Sequence, residues 1–524
     1  MARDTSRDGL VNRLRYYVLT HFRPIWNLIN RIDWLSRVVN RWLINNAVGL
    51  TPGRPDPFST LAPYTTWDSL TDRTWFGRHL PPTKQERLPD PAAVAELFRR
   101  PSAGARLSDK STVLFPAFAQ WFTDGFLLTN DADRRRTHSN HQLDFAPLYG
   151  LKKDITDCLR LKSERPGQKG RLKSRELSTG EYPLPLFDED GITVRQEFQS
   201  LPMPLRLPWD WPAAKRKTLF AVGGERTNTT PQTAMLNTLF LREHNRVCNV
   251  LERSHPAWDD ERIFQTARNV VIALLIKVVV EEYINHISPY YMHFRADPSA
   301  AWSARWNRPN WFTVEFNLLY RWHSLVPDRV EWADQTYAPT EWLFNNEPLT
   351  RVGLGPGFDA TSRQKAGEIG LFNTPEFLLP TETASIAQGR LNALATYNDY
   401  RAVMDYPRVT SFRQISGDDR VVEGLKSLYG TADRVEFYVG LFAEDPRPNA
   451  AVPSLIGRMV AVDAFSQALT NPLLSEHLFN ANTFSTDGME ILESTHTLRD
   501  VVGRNVQGGV GKYFVSMTQE KLRP

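Results

Sequence analysis

Along most of the chain apolar residues recur at three- and four-residue steps, the spacing of one face of a helix; strict alternation is confined to a few short runs. The longest helical periodicities run from Gln232 to about Arg253 and from Asp259 to about His286. The same spacing predicts helices over 93–101, 112–128, Thr313–Leu325, Thr381–Asp405 and Ser454–Ala468. Leu159–Leu161 and Arg171–Ser174 alternate on either side of a Pro-Gly-Gln-Lys-Gly run, which predicts a small hairpin with a solvated basic surface. The pattern predicts a mainly α fold with few, short strands and no internal repeat.

The segment from about Arg13 to Leu50 stands apart. Ile25, Leu28, Ile29, Ile32, Leu35, Val39 and Trp42 fall on one helical face, with Trp26 and Trp34 beside it. The basic side chains between residues 11 and 50 are arginines, and Asp33 is the lone acid among them. A basic, tryptophan-bearing amphipathic helix can lie in a bilayer interface, its arginines among lipid phosphates. The same stripe could pack on the protein's own core. Proline-rich sequence from Thr51 to Pro63 reads as a linker, dividing the chain into an N-terminal segment, 1–50, and a large domain, 51–524.

Composition narrows the field. A net charge of +4 over 524 residues implies no nucleic-acid partner. Two cysteines, Cys158 and Cys248, exclude a disulfide framework and suit a reducing compartment. The opening MARDTSRDGL lacks an apolar signal-peptide core, and no run of about 18 apolar residues is evident, so a cytoplasmic, non-spanning protein is expected. Fifteen Trp, 16 Tyr and 28 Phe suit a large apolar cavity, or simply a large core.

Few motifs carry chemistry. Gly353, Gly355 and Gly357 follow no strand and include a proline, so they read as a loop rather than a phosphate cradle. His138 and His141, near Asp131 and Asp133, could hold a metal, but Arg134, Arg135 and Arg136 would repel a cation. Tyr320 and His323 lie three apart on the predicted helix and can face one cavity. Imidazole is a good axial ligand for haem iron, and a nearby tyrosine could be oxidised to a radical. A satisfied core histidine would look the same.

Four stretches resemble the cyclooxygenase (prostaglandin endoperoxide synthase) branch of the haem peroxidase–dioxygenase superfamily: EFNLLYRWHSLVPD, TLFLREHNRVCNVL, FAQWFTDGF and VEFYVGLF. EEYINHISPYY extends the similarity without a gap to the first of these. The resemblance covers nearly everything after about residue 20, without an epidermal-growth-factor-like module. It implies a large helical animal-haem-peroxidase-like catalytic domain preceded by short amphipathic membrane-binding helices, one haem b per chain, and possible homodimers. His323 would be the proximal haem ligand, Tyr320 the radical residue and Gln120 the distal glutamine. Tyr290, Ile284, Ile287, Phe316, Leu319, Trp322, Met459, Val462, Asp463 and Ser466 would line a substrate channel.

Three departures mark this chain. Asp124 stands where the family has its distal histidine, the base that moves the peroxide proton. Arg226 matches the distal arginine of the wider superfamily, so the two could act as a base and charge stabiliser or form only a structural salt bridge. The arginine that grips a fatty-acid carboxylate at the channel mouth is replaced by Ala47 or Val48, with Arg41 and Arg54 a few residues away. Asp463 replaces a small apolar channel residue, costly unless paired. The resemblance implies a haem-dependent dioxygenase that uses Tyr320 to abstract hydrogen from an unsaturated fatty acid or related lipid. The alternatives are a peroxidase or peroxygenase using Asp124 and Arg226 on another small molecule, and a non-catalytic haem- or lipid-binding protein at a membrane surface.

Overall fold

The computed structural model describes residues 10–49, 64, 66–333, 335–509 and 511–520, so the expected linker Thr51–Pro63 lies outside the described residues. The principal helices are α1 (Leu10–Thr20), α2 (Arg23–Arg31), α3 (Asp33–Gly49), α4 (Leu114–Thr123), α5 (Pro231–Ser254), α6 (Asp260–Val278), α7 (Val314–Leu319), α8 (Leu354–Arg363), α9 (Leu379–Leu391), α10 (Tyr397–Val403), α11 (Phe437–Ala443), α12 (Ser454–Leu469), α13 (Ala481–Glu493) and α14 (Leu498–Asn505). Strands among the described residues form three antiparallel pairs: 107–112 with 365–367, 174–177 with 180–183, and 330–332 with 335–337. The mainly α expectation holds.

At the centre is α5, packed against α4, α6 and α14. It starts sharply because Thr230 accepts from the Thr233 N–H at 3.3 Å, Thr233 returns the bond, and Pro231 opens the first turn. Burial on nearly every face forces its polar residues to find partners inside. Glu243 takes Arg246 at 2.8 Å, Arg504 at 2.9 Å and Asn505 at 2.6 Å, tying α5 to α14. His244 meets the Tyr149 hydroxyl and the Gly170 carbonyl, each at 2.9 Å.

Behind α5, α6 runs on through a π turn over Val279–Ile284 to Ile287. By length and composition Asp260–Ile287 could cross a membrane, which corrects the absence of such a run in the sequence reading. Its hydrophobicity has another use: 72% of that apolar stretch is buried, between α5 and α13.

The N-terminal stripe is not one helix. The chain turns at Ile32 (φ −92°, ψ 99°), and Trp26 is buried with its indole N–H on the Val18 carbonyl at 2.7 Å. Apolar residues and asparagines together hold α2 and α3 to the body: Trp26, Leu43, Ile44 and Val48 are buried, Asn30 bonds the Tyr291 carbonyl at 2.9 Å, Asn40 both donates to and accepts from Arg295 at 3.1 Å, and Asn45 reaches Ala300 and Trp306. Leu14, Phe22, Ile25, Leu28, Trp34 and Trp42 are left in solvent.

Other boundaries shift for local reasons. The helix expected over Thr381–Asp405 breaks into α9 and α10, with Ala393 at φ 47° between them. The hairpin lies later than expected, at 174–183; Arg160 and Leu172 form only an isolated bridge. The glycine run opens a helix, correcting the loop reading. Gly353 enters it at φ 89°, and a Cβ on Gly355 would lie 2.2 Å from the Tyr513 ring, so these glycines serve close packing.

Because Glu243 is buried among two guanidiniums, Glu243→Ala strands both charges. We expect a loss of about 3–5 kcal/mol in chemical denaturation; a change within ~0.5 kcal/mol, as for an ordinary surface position, would refute this account.

Candidate active site

The segment carrying Tyr320 and His323 is not the single helix expected. Thr313 caps α7 by accepting from the Phe316 N–H at 3.0 Å, and the helix ends at Leu319. Tyr320 is its cap residue, Trp322 turns the chain (φ −87°, ψ 48°), and a 3₁₀ turn begins at His323. His323 Nδ1 lies 3.0 Å from Glu382 Oε1 on α9. That carboxylate is buried and also accepts from Thr374 at 2.8 Å and from the Tyr438 hydroxyl on α11 at 2.5 Å. A carboxylate against Nδ1 assigns the proton to that nitrogen and leaves Nε2 as the free lone pair, the second-shell arrangement of a metal-ligating histidine. Sequence reading missed Glu382 because its link to His323 spans 59 residues and exists only when α9 packs on α7.

Gln120 lies on α4 and Asp124 caps the same helix. Gly223 and Gly224 let the chain pass against Gly150 and Pro147, where a Cβ on Gly223 would meet the Gly150 nitrogen at 2.2 Å, and the loop then presents Arg226. Arg226 Nε is 3.7 Å from Asp124 Oδ1, so the expected pair forms as an ion pair without a close hydrogen bond. Asp124 Oδ2 has no partner. Burial raises Asp124 to about 6, opposed by the positive charges of Arg226 and Arg321 and by the hydrogen bond to Gln120. Arg321, unremarked in the sequence, is itself pushed down to about 10, chiefly by burial and then by Arg226.

Tyr320 sits between aromatic rings, 4.9 Å from Phe316 edge-on and 4.9 Å from Trp322. Its hydroxyl is enclosed and has no partner at hydrogen-bond distance, nor has that of Tyr283, which the π turn of α6 brings alongside. Burial pushes both phenols up; Tyr283 works to lower Tyr320, and Asp463 raises it further. The buried Asp463 is paired after all: His79 Nε2 meets Oδ2 at 3.0 Å. Burial alone would depress His79, but the charge of Asp463, their hydrogen bond and the charge of Glu315 outweigh it and raise the imidazole to about 9. Glu315 in turn accepts from the His79 N–H at 3.1 Å and the Tyr400 hydroxyl at 2.7 Å. Nothing in the local sequence around His79 marks it as the counter-charge of a residue 384 positions away.

A cavity of about 120 Å³ opens between the N-terminal helices, the end of α6 and α12. Ile284, Ile287 and Tyr290 line it as expected, with Ala47 on α3. Phe316, Leu319, Trp322, Met459, Val462, Asp463 and Ser466 do not border this cavity and are buried deeper, around Tyr320 and within α12. Ser466 Oγ bonds the Asp463 carbonyl at 3.0 Å. Val48 is buried, Arg41 bonds Ser299 at 2.5 Å outside the cavity, and Arg54 lies outside the described residues. His141 is no metal ligand: Nδ1 accepts from the Phe312 N–H at 3.0 Å and Nε2 meets the Arg73 carbonyl at 2.6 Å. Among the described residues no cluster of His, Cys, Asp and Glu could hold a metal ion.

An oriented imidazole with Nε2 free, and a distal group with a bare carboxylate oxygen beside a guanidinium, fit an iron porphyrin rather than a protein-caged metal. Comparison with known proteins agrees: residues 131–513 match the animal haem peroxidase family. The chain belongs to that family. It is a haem-dependent oxidoreductase. Prostaglandin G/H synthase 2 of Cavia porcellus is 30% identical over 512 residues, covering 94% of this chain and 80% of that protein. In fold it is similar to the fatty acid alpha-dioxygenase of Arabidopsis thaliana (TM-score 0.70, 17% identity, 99% of this chain and 94% of that one). Peroxidase A of Dictyostelium discoideum gives a TM-score of 0.69 at 18% identity, over 85% and 96% of the two chains.

Removing the carboxylate that bonds Nδ1 frees the ring of His323. Glu382→Ala is expected to weaken haem binding about 10–100-fold in a Soret titration of the apoprotein. An unaltered affinity in a folded variant would show that Glu382 does not orient the ligand.

Proposed function

We propose that this family member is a fatty-acid dioxygenase in which Tyr320 abstracts hydrogen from the lipid chain. The observation that carries the reading is the tyrosine itself: an enclosed phenol without a hydrogen-bond partner, clamped by Phe316 and Trp322, three residues from the haem-ligating His323. Similarity to prostaglandin G/H synthases over most of both chains supports it. A haem held by His323 would supply the one-electron oxidation of the phenol, whose proton leaves with the electron. The Tyr320 oxygen then takes a hydrogen atom from an allylic or bis-allylic carbon, restoring the phenol; O₂ adds to the carbon radical, and the peroxyl radical so formed takes a hydrogen atom back from Tyr320, returning the tyrosyl radical. Ring packing keeps the phenol oriented, and its surroundings exclude water that would quench the radical.

A specific observation favours a second activity. Asp124 and Arg226 form a distal pair with one carboxylate oxygen unengaged, a base poised near neutrality for peroxide reduction. Arg226 would stabilise negative charge on the departing oxygen.

The outward apolar face of α1–α3 supports peripheral attachment to a membrane, from the cytoplasmic side given two free thiols. Trp34 and Trp42 turned outward, on helices whose inner face is already docked on the body, suit an interface.

Tyr320→Phe is expected to abolish substrate-dependent O₂ uptake while leaving the Soret band and peroxide reduction intact. Native-rate uptake by the haem-loaded variant would overturn the radical mechanism. In the wild type, peroxide reduction should rise with pH through about 6 as Asp124 ionises, and Asp124→Asn should remove that limb; the same profile in both would deny Asp124 the role of base. Replacing Trp34 and Trp42 with Ala should weaken co-sedimentation with anionic liposomes, and added salt should weaken it further, since each basic residue near the surface contributes about 1 kcal/mol. Unchanged co-sedimentation would refute attachment through this face.

A further inference from the structure

The cavity against the N-terminal helices has a charge imbalance. Arg15 from α1, Arg447, and Arg458 from α12 line it, and no Asp or Glu does. Arg447 is engaged, its guanidinium 4.6 Å from the centre of the Tyr16 ring. Arg15 and Arg458 are half-buried, and among the described residues neither has an ion-pair, hydrogen-bond or aromatic partner. Other guanidiniums shielded from solvent in this protein do have counter-charges: Arg160 has Asp260, Arg100 has Asp328, and Arg390 has Glu436. Desolvating two cations without a counter-charge is unfavourable, and an anion from outside the chain would relieve it. The wall behind them is apolar, built from Leu19, Leu43, Ile284, Ile287, Val460 and Phe465. A cationic rim on an apolar hollow is complementary to an amphiphile with an oxyanionic head.

We propose that Arg15 and Arg458 together seat the anionic head of the lipid substrate, with its chain directed inward past Ile284, Ile287 and Phe465. This rests on the lipid-oxygenase reading and specifies where that lipid is gripped. On α3, Ala47 borders the same space without a charge. The seat joins the first N-terminal helix to α12, so the head is held only when α1 is docked on the catalytic domain. That docking is secured by the Tyr291 N–H on the Leu19 carbonyl at 3.0 Å. The shared chemistry is a carboxylate or a phosphomonoester, since a guanidinium fork binds either.

The test is equilibrium binding to the haem-loaded full chain under anaerobic conditions, so that no turnover is needed. The probes are linoleate, its methyl ester and a lysophosphatidate of the same chain. Arg15→Ala and Arg458→Ala should each weaken linoleate about 10–100-fold, the loss of one charge-assisted hydrogen-bonding group. The methyl ester should bind all forms alike, Arg458→Lys should recover part of the affinity, and added salt should weaken linoleate in the wild type but not in the double variant. A larger loss for lysophosphatidate than for linoleate in the double variant would support the seat and identify its ligand as the dianion. Wild-type affinity for linoleate in the double variant, or equal losses for acid and ester, would overturn it. Arg458→Gln, with the thermal midpoint measured alongside, guards against a folding defect. Failure of the oxygenase reading shows up separately, in O₂ uptake by Tyr320→Phe.

Discussion

One buried carboxylate organises the centre of this protein. Glu382 cannot remain charged out of solvent unless donors surround it, and the three it has come from three separate pieces of chain: His323, Thr374 and Tyr438. In satisfying it, α9 and α11 are drawn onto the end of α7, and the imidazole is fixed in tautomer and direction. The short break after Leu319 then sets Tyr320 apart from His323 while keeping both on one eight-residue stretch with Phe316. The orientation of His323 is thus a consequence of how a charge is buried.

A second buried ionic group lies on the other side of Tyr320. His79 and Asp463 bring two distant segments together at 3.0 Å, and Glu315 and Tyr400 extend the network to α7 and α10. The charge of Asp463 raises Tyr320, so this network makes ionisation of the phenol harder and favours its neutral, hydrogen-bearing form at rest. Replacing such a group by apolar residues of similar volume can be neutral for stability. On the distal side the same logic operates in weaker form: Asp124 is held near neutrality because burial and two arginines pull in opposite directions.

The N-terminal helices carry apolar residues on two faces. Trp26, Leu43, Ile44 and Val48 are buried with Asn30, Asn40 and Asn45 bonding the body beside them, while Leu28, Trp34 and Trp42 remain exposed. The cavity beneath these helices is lined by Arg15 from α1 and Arg458 from α12, so the N-terminal helices and α12 share one cavity.

Much of this was legible along the chain. Three- and four-residue periodicity alone located α5, α6 and α12 to within a few residues, because each buries a broad apolar face. The stretch around Tyr320 and His323, together with the blocks holding Gln120 and residues 238–251 of α5, carried the family. Asp124 and Arg226, matched separately by position, do face each other. Periodicity failed where a single backbone angle ends a helix, at Ile32, Trp322 and Ala393, since no apolar spacing registers a turn of that kind. Nor could it reveal partners. Glu382 for His323, His79 for Asp463 and the solitary Arg15 and Arg458 acquire meaning only when segments tens to hundreds of residues apart are packed together, because a charge declares its counter-charge by distance in space and not by position in the sequence.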